Sequence, residues 1–167
     1  MTPEVYEKWT APLRKYPQAL QAMIGLNRML TLLCYAAYPL LLLWLLLLNR
    51  EKLVLCILVP AIFFGAVTVF RKVYNAPRPY ESGIPSLMHK NTKGHSFPSR
   101  HVFSAFMIAM TYAYVLPNFA WLLFAAGFGL AVIRVLGGVH YPKDVLAGAL
   151  IAVAAGLLGY WLLPTLF

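Results

Sequence analysis

The run SRHVFSAFMIAMTYAYVLPNFAWLLFAAGFGLAVIRVL, Ser99 to Leu136, holds two apolar stretches joined through Pro117 and Asn118. The first, Ser99 to Leu116, has 18 residues. At a rise of ~1.5 Å per residue it covers about 27 Å as a helix, enough for the hydrocarbon core of a bilayer. Ala120 to Leu136 is a second such stretch. Neither alternates as a barrel strand would, and open sheet edges are excluded in lipid, so both are predicted to be helices. The polar residues sit at the outer ends of this hairpin: Ser99, Arg100 and His101 where it begins, Arg134 near its close. A hairpin returns both ends to the same membrane face.

The pattern extends outward from here. Upstream, Met29–Leu48, which ends in LLLLWLLLL, is joined to Leu53–Phe70 by the polar tetrad Asn49–Lys52. Downstream, a fifth stretch starts near Pro142 and ends before Pro164. The expected fold is all-α, a polytopic membrane helix bundle of about five transmembrane helices. Residues 1–26 are more mixed and suit an N-terminal interfacial helix anchored by Trp9 and Tyr16. Residues 1–18 lack the short apolar core of a cleavable leader. No repeat or low-complexity tract divides the chain, so residues 1–167 are read as one membrane-embedded domain. Only 11% of residues are charged, against about 25% in soluble domains, so water is not the main solvent. Cys34 and Cys56 fall in apolar runs and are read as small hydrophobes, and Gly148, Ala152 and Gly156 as a stripe for close helix packing.

The net charge is +9, from 14 Lys and Arg against five acids. These cations lie between the spans, which suits an anionic lipid surface or anionic substrate; no nucleic-acid partner is expected. Residues 71–98 are polar, Pro-rich and Gly-rich, and a loop this long usually has a role. Counting crossings puts the end of the second span, the start of the third, the end of the fourth and the start of the fifth on one face. Arg71, Lys72, Arg78, Ser99, Arg100, His101, Arg134, His140, Lys143 and Asp144 can therefore converge there. Guanidinium groups are rigid multidentate donors matched to phosphate, and several facing one site repel each other unless an anion joins them. Ser99 opens a helix whose free N–H groups and positive dipole end seat an anion, and His101 stands in its first turn as an acid or base. Asp144, four residues after His140, can hold one ring nitrogen and leave the other free to attack. His89 and His95 are read as exposed loop residues. With His101 they are evenly spaced but form no recognised ligand pattern, so no metal is expected.

The segments RKVYNAPRP (71–79), PSRH (98–101) and IRVLGGVHYPKD (133–144) resemble the signatures of the type 2 phosphatidate phosphatase superfamily. These are Lys, six residues, Arg-Pro; Pro-Ser-Gly-His; and Ser-Arg, five residues, His, three residues, Asp. Arg134, His140 and Asp144 keep the third spacing. Three positions depart: Arg71 holds the first Lys position with Lys72 one residue out of register, Arg100 replaces Gly, and Ile133 replaces Ser. The resemblance implies a phosphatase needing no metal or other cofactor. In it His140 attacks phosphorus to form a phosphohistidine, Asp144 orients His140, and His101 protonates the leaving group and later helps activate water. Arg71 or Lys72, Arg78, Ser99 and Arg134 would hold the phosphoryl oxygens, with Arg100 adding a charge for a pyrophosphate or narrowing the pocket.

The implied substrate is a phosphorylated membrane lipid, with undecaprenyl pyrophosphate, phosphatidylglycerol phosphate and phosphatidate all open. The implied location is the cell (inner) membrane. The superfamily's bacterial lipid phosphatases usually act at the outer face of that membrane. The lysines around the site, against only Arg50 and Lys52 on the other face, favour the cytoplasmic side. A carrier that binds such lipids without cutting them is the rival from another class, and retention of both His101 and His140 argues against it. A vanadium haloperoxidase, usually larger and soluble, fits less well. The oligomeric state is not readable.

Overall fold

The computed structural model describes residues 2–88, 90 and 92–162. Prolines set the starts of four helices: α1 (Pro3–Lys15), α2 (Pro17–Leu48), α5 (Pro117–Leu136) and α6 (Pro142–Leu157). At a first helical position the missing N–H has no partner to lose, and φ is already helical. The other two helices are α3 (Arg50–Tyr74) and α4 (Arg100–Val115), and α6 runs on as a π turn over Leu158–Leu162. A 3-10 turn, Pro79–Ser82, interrupts the long loop between α3 and α4. Among the described residues there is no strand.

The chain is an integral membrane protein. Helices α2, α3, α5 and α6 with its π turn are long and apolar enough to cross a bilayer. Much of their surface is exposed leucine, valine, isoleucine and phenylalanine such as Leu32, Leu47, Val54, Ile62 and Phe128, which in lipid costs nothing. The fifth helix, α4, is shorter at 16 residues and about 24 Å, and it is enclosed by the others. It carries Phe103, Met107 and Met110 into a core shared with Leu41 and Leu45 of α2, Val59 and Val67 of α3 and Ala152 of α6.

The boundaries differ most from the sequence expectation at the start of α2 and the end of α3, while α3 and α5 each start three residues early, at Arg50 and Pro117. Helix α2 begins at Pro17 rather than near Met29: Pro17 sits at the helix start, where it is tolerated, and no proline follows before Met29 to end the helix. Its 32 residues reach about 48 Å, well past a core of about 30 Å. The expected interfacial segment is therefore α1 plus the first turns of α2. Helix α3 continues beyond Phe70 to Tyr74, where Asn75 adopts a left-handed conformation and its N–H caps the Arg71 carbonyl. His89 and the chain beyond Leu162, including Pro164, lie outside the described residues.

The small-residue stripe of α6 packs against α4. A Cβ on Gly148 would stand 2.6 Å from the Ser99 carbonyl oxygen, and one on Gly156 2.7 Å from Met110. Close to the first contact, the Ser99 N–H donates to the Asp144 carbonyl at 2.8 Å. The starts of α4 and α6 are thus tied backbone to backbone.

Candidate active site

The ends of α3 and α5 and the starts of α4 and α6 meet on one face, as the crossing count requires, and the long loop covers them. His140 lies on the turn between α5 and α6, 2% exposed, and Asp144 in the first turn of α6 is fully buried. The His140 Nδ1 is 3.6 Å from Asp144 Oδ2, too long for a hydrogen bond. Ser96 closes the gap. Its hydroxyl donates to Asp144 Oδ2, and its Oγ stands 3.3 Å from His140 Nδ1, where it can accept the ring proton. The Tyr141 N–H also donates to Oδ2, at 3.0 Å. The Nδ1 side of the imidazole is therefore occupied, which leaves Nε2 for chemistry. Burial holds the His140 pKa below the ordinary value of about 6.5 despite the nearby carboxylate, so the ring is neutral at neutral pH.

Ser96 was not among the residues singled out from sequence. A serine in an irregular loop has no periodicity to mark it. The only available signal was its place in HSFPS, three residues before Ser99.

The arginines divide by environment. Arg71, on the buried face of α3 with Val67 one turn before it, donates to the carbonyls of His95, Ser96 and Pro98. It staples the loop that carries Ser96. Lys72, next in sequence, is turned about 100° around the helix and is exposed. Arg78 is buried, and its Nε donates to the Gly94 carbonyl at 2.9 Å. Glu81 braces the same stretch by accepting from the N–H groups of Arg78 and Gly94, both at 2.8 Å. Arg134, in the last turn of α5, is 3% exposed, and its Nε has no hydrogen-bond partner. The Ser99 hydroxyl at the start of α4 is likewise buried and unpartnered. His101, half-buried in the first turn of α4, feels the charge of Arg134. Arg100 and Lys143 are exposed. His95 is half-buried rather than exposed, with Nδ1 2.9 Å from the Arg71 carbonyl oxygen.

The turn that carries His140 is held from outside the cluster. The Tyr6 hydroxyl of α1, fully buried, donates to the Leu136 carbonyl at 2.9 Å. The Ser86 hydroxyl and the Leu87 N–H both donate to the Gly137 carbonyl, at 3.0 and 3.1 Å. Gly138 takes a positive φ of 67°, which glycine adopts without strain, and a Cβ there would stand 2.7 Å from the Tyr6 hydroxyl. Three buried guanidinium groups, an unpartnered hydroxyl at a helix start and a neutral, oriented imidazole thus lie at the same end of the bundle. Asp144 is the only buried acid among the described residues. The arrangement suits an anion that can be attacked at its centre.

Residues 51–167 match the family model described as the PAP2 superfamily. A 72-residue segment is 38% identical to bacitracin transport permease protein BcrC of Bacillus licheniformis, covering 43% of this chain and 36% of that protein. An 86-residue segment is 30% identical to undecaprenyl-diphosphatase BcrC of Bacillus subtilis, covering 52% of this chain and 45% of that protein. The match thus spans less than half the length of these two curated relatives. Among solved structures, Aquifex aeolicus LpxE superposes with a TM-score of 0.72 at 25% identity, over 93% of this chain and 92% of that one. A transmembrane PAP2-type phosphatidylglycerolphosphate phosphatase from Bacillus subtilis superposes with a TM-score of 0.66 at 21% identity, over 94% and 82%, a likeness of fold alone.

Proposed function

The chain belongs to the PAP2 superfamily, and on that premise we propose that it is a lipid phosphatase of the cell (inner) membrane that cleaves a terminal phosphate without a metal or other cofactor. His140 Nε2 attacks the phosphorus and forms a phosphohistidine. Asp144, acting through Ser96, keeps the proton on Nδ1, and its charge stabilises the one that develops on the ring. His101 protonates the departing oxygen and then helps water release the phosphate. Arg134 Nε, the Ser99 hydroxyl and Arg78 hold the phosphoryl oxygens, while Arg71 keeps the Ser96 loop in register. Undecaprenyl pyrophosphate, phosphatidylglycerol phosphate and phosphatidate are the substrates to compare. The name of one curated relative supports the first.

One observation carries this proposal: a buried, neutral histidine with one nitrogen engaged stands beside three buried arginines that have a single buried acid among them. Binding alone would not need an oriented nucleophile with a second histidine beside it.

The test is phosphate release by purified protein in detergent with EDTA, over lipid mono- and diphosphates, beside His140→Ala. Release that survives EDTA and disappears in the variant is the expected result. Lipid binding with no release from any substrate would overturn it in favour of a non-hydrolytic carrier.

A further inference from the structure

Arg100 is the one arginine of the PSRH segment's neighbourhood that the mechanism above does not use. It is the first residue of α4, beside Ser99 and His101, yet its side chain does not turn into the arginine cluster. The guanidinium carbon lies 5.6 Å from the centre of the Phe64 ring on α3. Phe64 is seven residues before Arg71, on the same face of α3 and two turns, about 10 Å, further into the membrane. Arg100 therefore points to the lipid side of the cluster. Phe64 is also the upper wall of an apolar cleft of about 450 Å³ between α2, α3 and α4, lined by Tyr35, Phe103, Ser104 and Met107 as well. Arg100 thus stands between the point where phosphorus is attacked and the surface that faces hydrocarbon.

That position is costly for a bare cation. Hydrocarbon disfavours an arginine that has no partner. Stacking on an aromatic ring offsets only part of that. Among the described residues no arginine or lysine is paired with a carboxylate, so Arg100 has no acid of its own. Its charge does reach Arg71 and His101.

We propose that Arg100 is a specificity-determining residue that binds the inner phosphate of a lipid diphosphate, so that the site prefers diphosphates to monophosphates. This rests on the phosphatase assignment above. As His140 Nε2 bonds to the terminal phosphorus, the bond from that phosphorus to the bridging oxygen breaks. The bridging oxygen leaves with the electron pair, on a lipid monophosphate whose charge grows by one unit until His101 supplies a proton. Arg100 faces that growing charge. With a simple monophosphate such as farnesyl monophosphate the leaving group is an uncharged alcohol, and no second phosphate reaches Arg100.

A phosphate at this place can also belong to a neighbouring anionic lipid, and the test separates the two sources. kcat/KM is measured for farnesyl diphosphate and farnesyl monophosphate with wild type, Arg100→Gly, Arg100→Lys and Arg100→Gln, in neutral detergent and again with phosphatidylglycerol added. Loss of a charge-assisted contact made to the leaving group predicts a diphosphate-to-monophosphate ratio about 10- to 100-fold lower in Arg100→Gly and Arg100→Gln, with and without the anionic lipid. Arg100→Lys, which keeps the charge but not the fork, should fall between. An unmoved ratio in either neutral variant overturns the proposal, as does a change seen only with phosphatidylglycerol, which would assign Arg100 to bulk lipid. Wild-type protein that cleaves neither of these nor any lipid of the panel above overturns the phosphatase assignment itself. An active wild type with an unmoved ratio overturns only the role of Arg100.

Discussion

Gly148→Ala is a one-carbon change that should disable the site from a residue that touches no substrate. The new Cβ would lie 2.6 Å from the Ser99 carbonyl oxygen and 3.3 Å from the Phe103 amide nitrogen. Both are backbone atoms of the first turn of α4, so no side chain can swing aside. Restoring ordinary contact at about 3.4 Å requires α6 to retreat from α4 by about 0.8 Å. Asp144 is one turn earlier on α6, and its carbonyl accepts from the Ser99 N–H at 2.8 Å. The same retreat stretches that bond past 3.5 Å and carries the carboxylate away from Ser96 and His140. Overpacking of this kind costs about 1–3 kcal/mol of stability, and a misplacement near 1 Å can cost about 100-fold in rate. The assay is lipid phosphate release with thermal unfolding followed in parallel. Gly65→Ala on α3 is the control, since a Cβ there meets nothing within 4 Å. We expect kcat to fall by one to two orders of magnitude in Gly148→Ala and to hold in Gly65→Ala. Full activity with an unchanged Tm in Gly148→Ala would refute the backbone tie as the device that aligns His140 with the start of α4.

Ser96→Ala removes the link between His140 and Asp144, so kcat should drop about 10-fold or more with a smaller change in KM; equal kcat would exclude Ser96 from orienting the ring. Arg71→Ala strips the donors from three loop carbonyls and should lower both Tm and kcat, whereas exposed Lys72→Ala should stay within about 0.5 kcal/mol of wild type; thermal unfolding and turnover compare them. Tyr6→Phe leaves the partly buried Leu136 carbonyl without its donor, an effect of about 1 kcal/mol on stability read by denaturation. Because burial depresses the His140 pKa, the neutral nucleophile persists as pH falls through about 6.5. The acid limb of kcat/KM should therefore have its midpoint below that value, and a midpoint above it would contradict a buried, neutral His140.

Hydrophobic periods and helix punctuation carried most of the architecture. PN and NREK mark the far-side turns, and Pro142 starts α6 as its position suggested. Because helix ends alternate faces, the gathering of Arg71, Arg78, Ser99, Arg134, His140 and Asp144 at one end followed from counting. What sequence could not decide was facing. Whether Arg71 or Lys72 turns inward depends on α3 remaining helical past Phe70, four residues beyond its apolar run. Whether Arg100 joins the cluster depends on a side-chain direction that no spacing encodes. Ser96 depends on a loop path set by the Arg71 staple, a contact spanning 25 residues. The fifth crossing is likewise a matter of enclosure. Helix α4 is only 16 residues long and sits within the other helices.

The bond from Tyr6 to the Leu136 carbonyl links the turn that carries His140 to a helix whose outer surface shows Val5, Trp9 and Tyr16. Those side chains suit the level of lipid headgroups. The surrounding medium is therefore a component of the site, and the choice of detergent is a chemical variable rather than a convenience. A micelle that fails to seat Trp9 pulls on the same short turn that a bilayer steadies. On the proposed mechanism, turnover in nanodiscs should exceed turnover in micelles, and equal rates would detach the Tyr6 contact from catalysis.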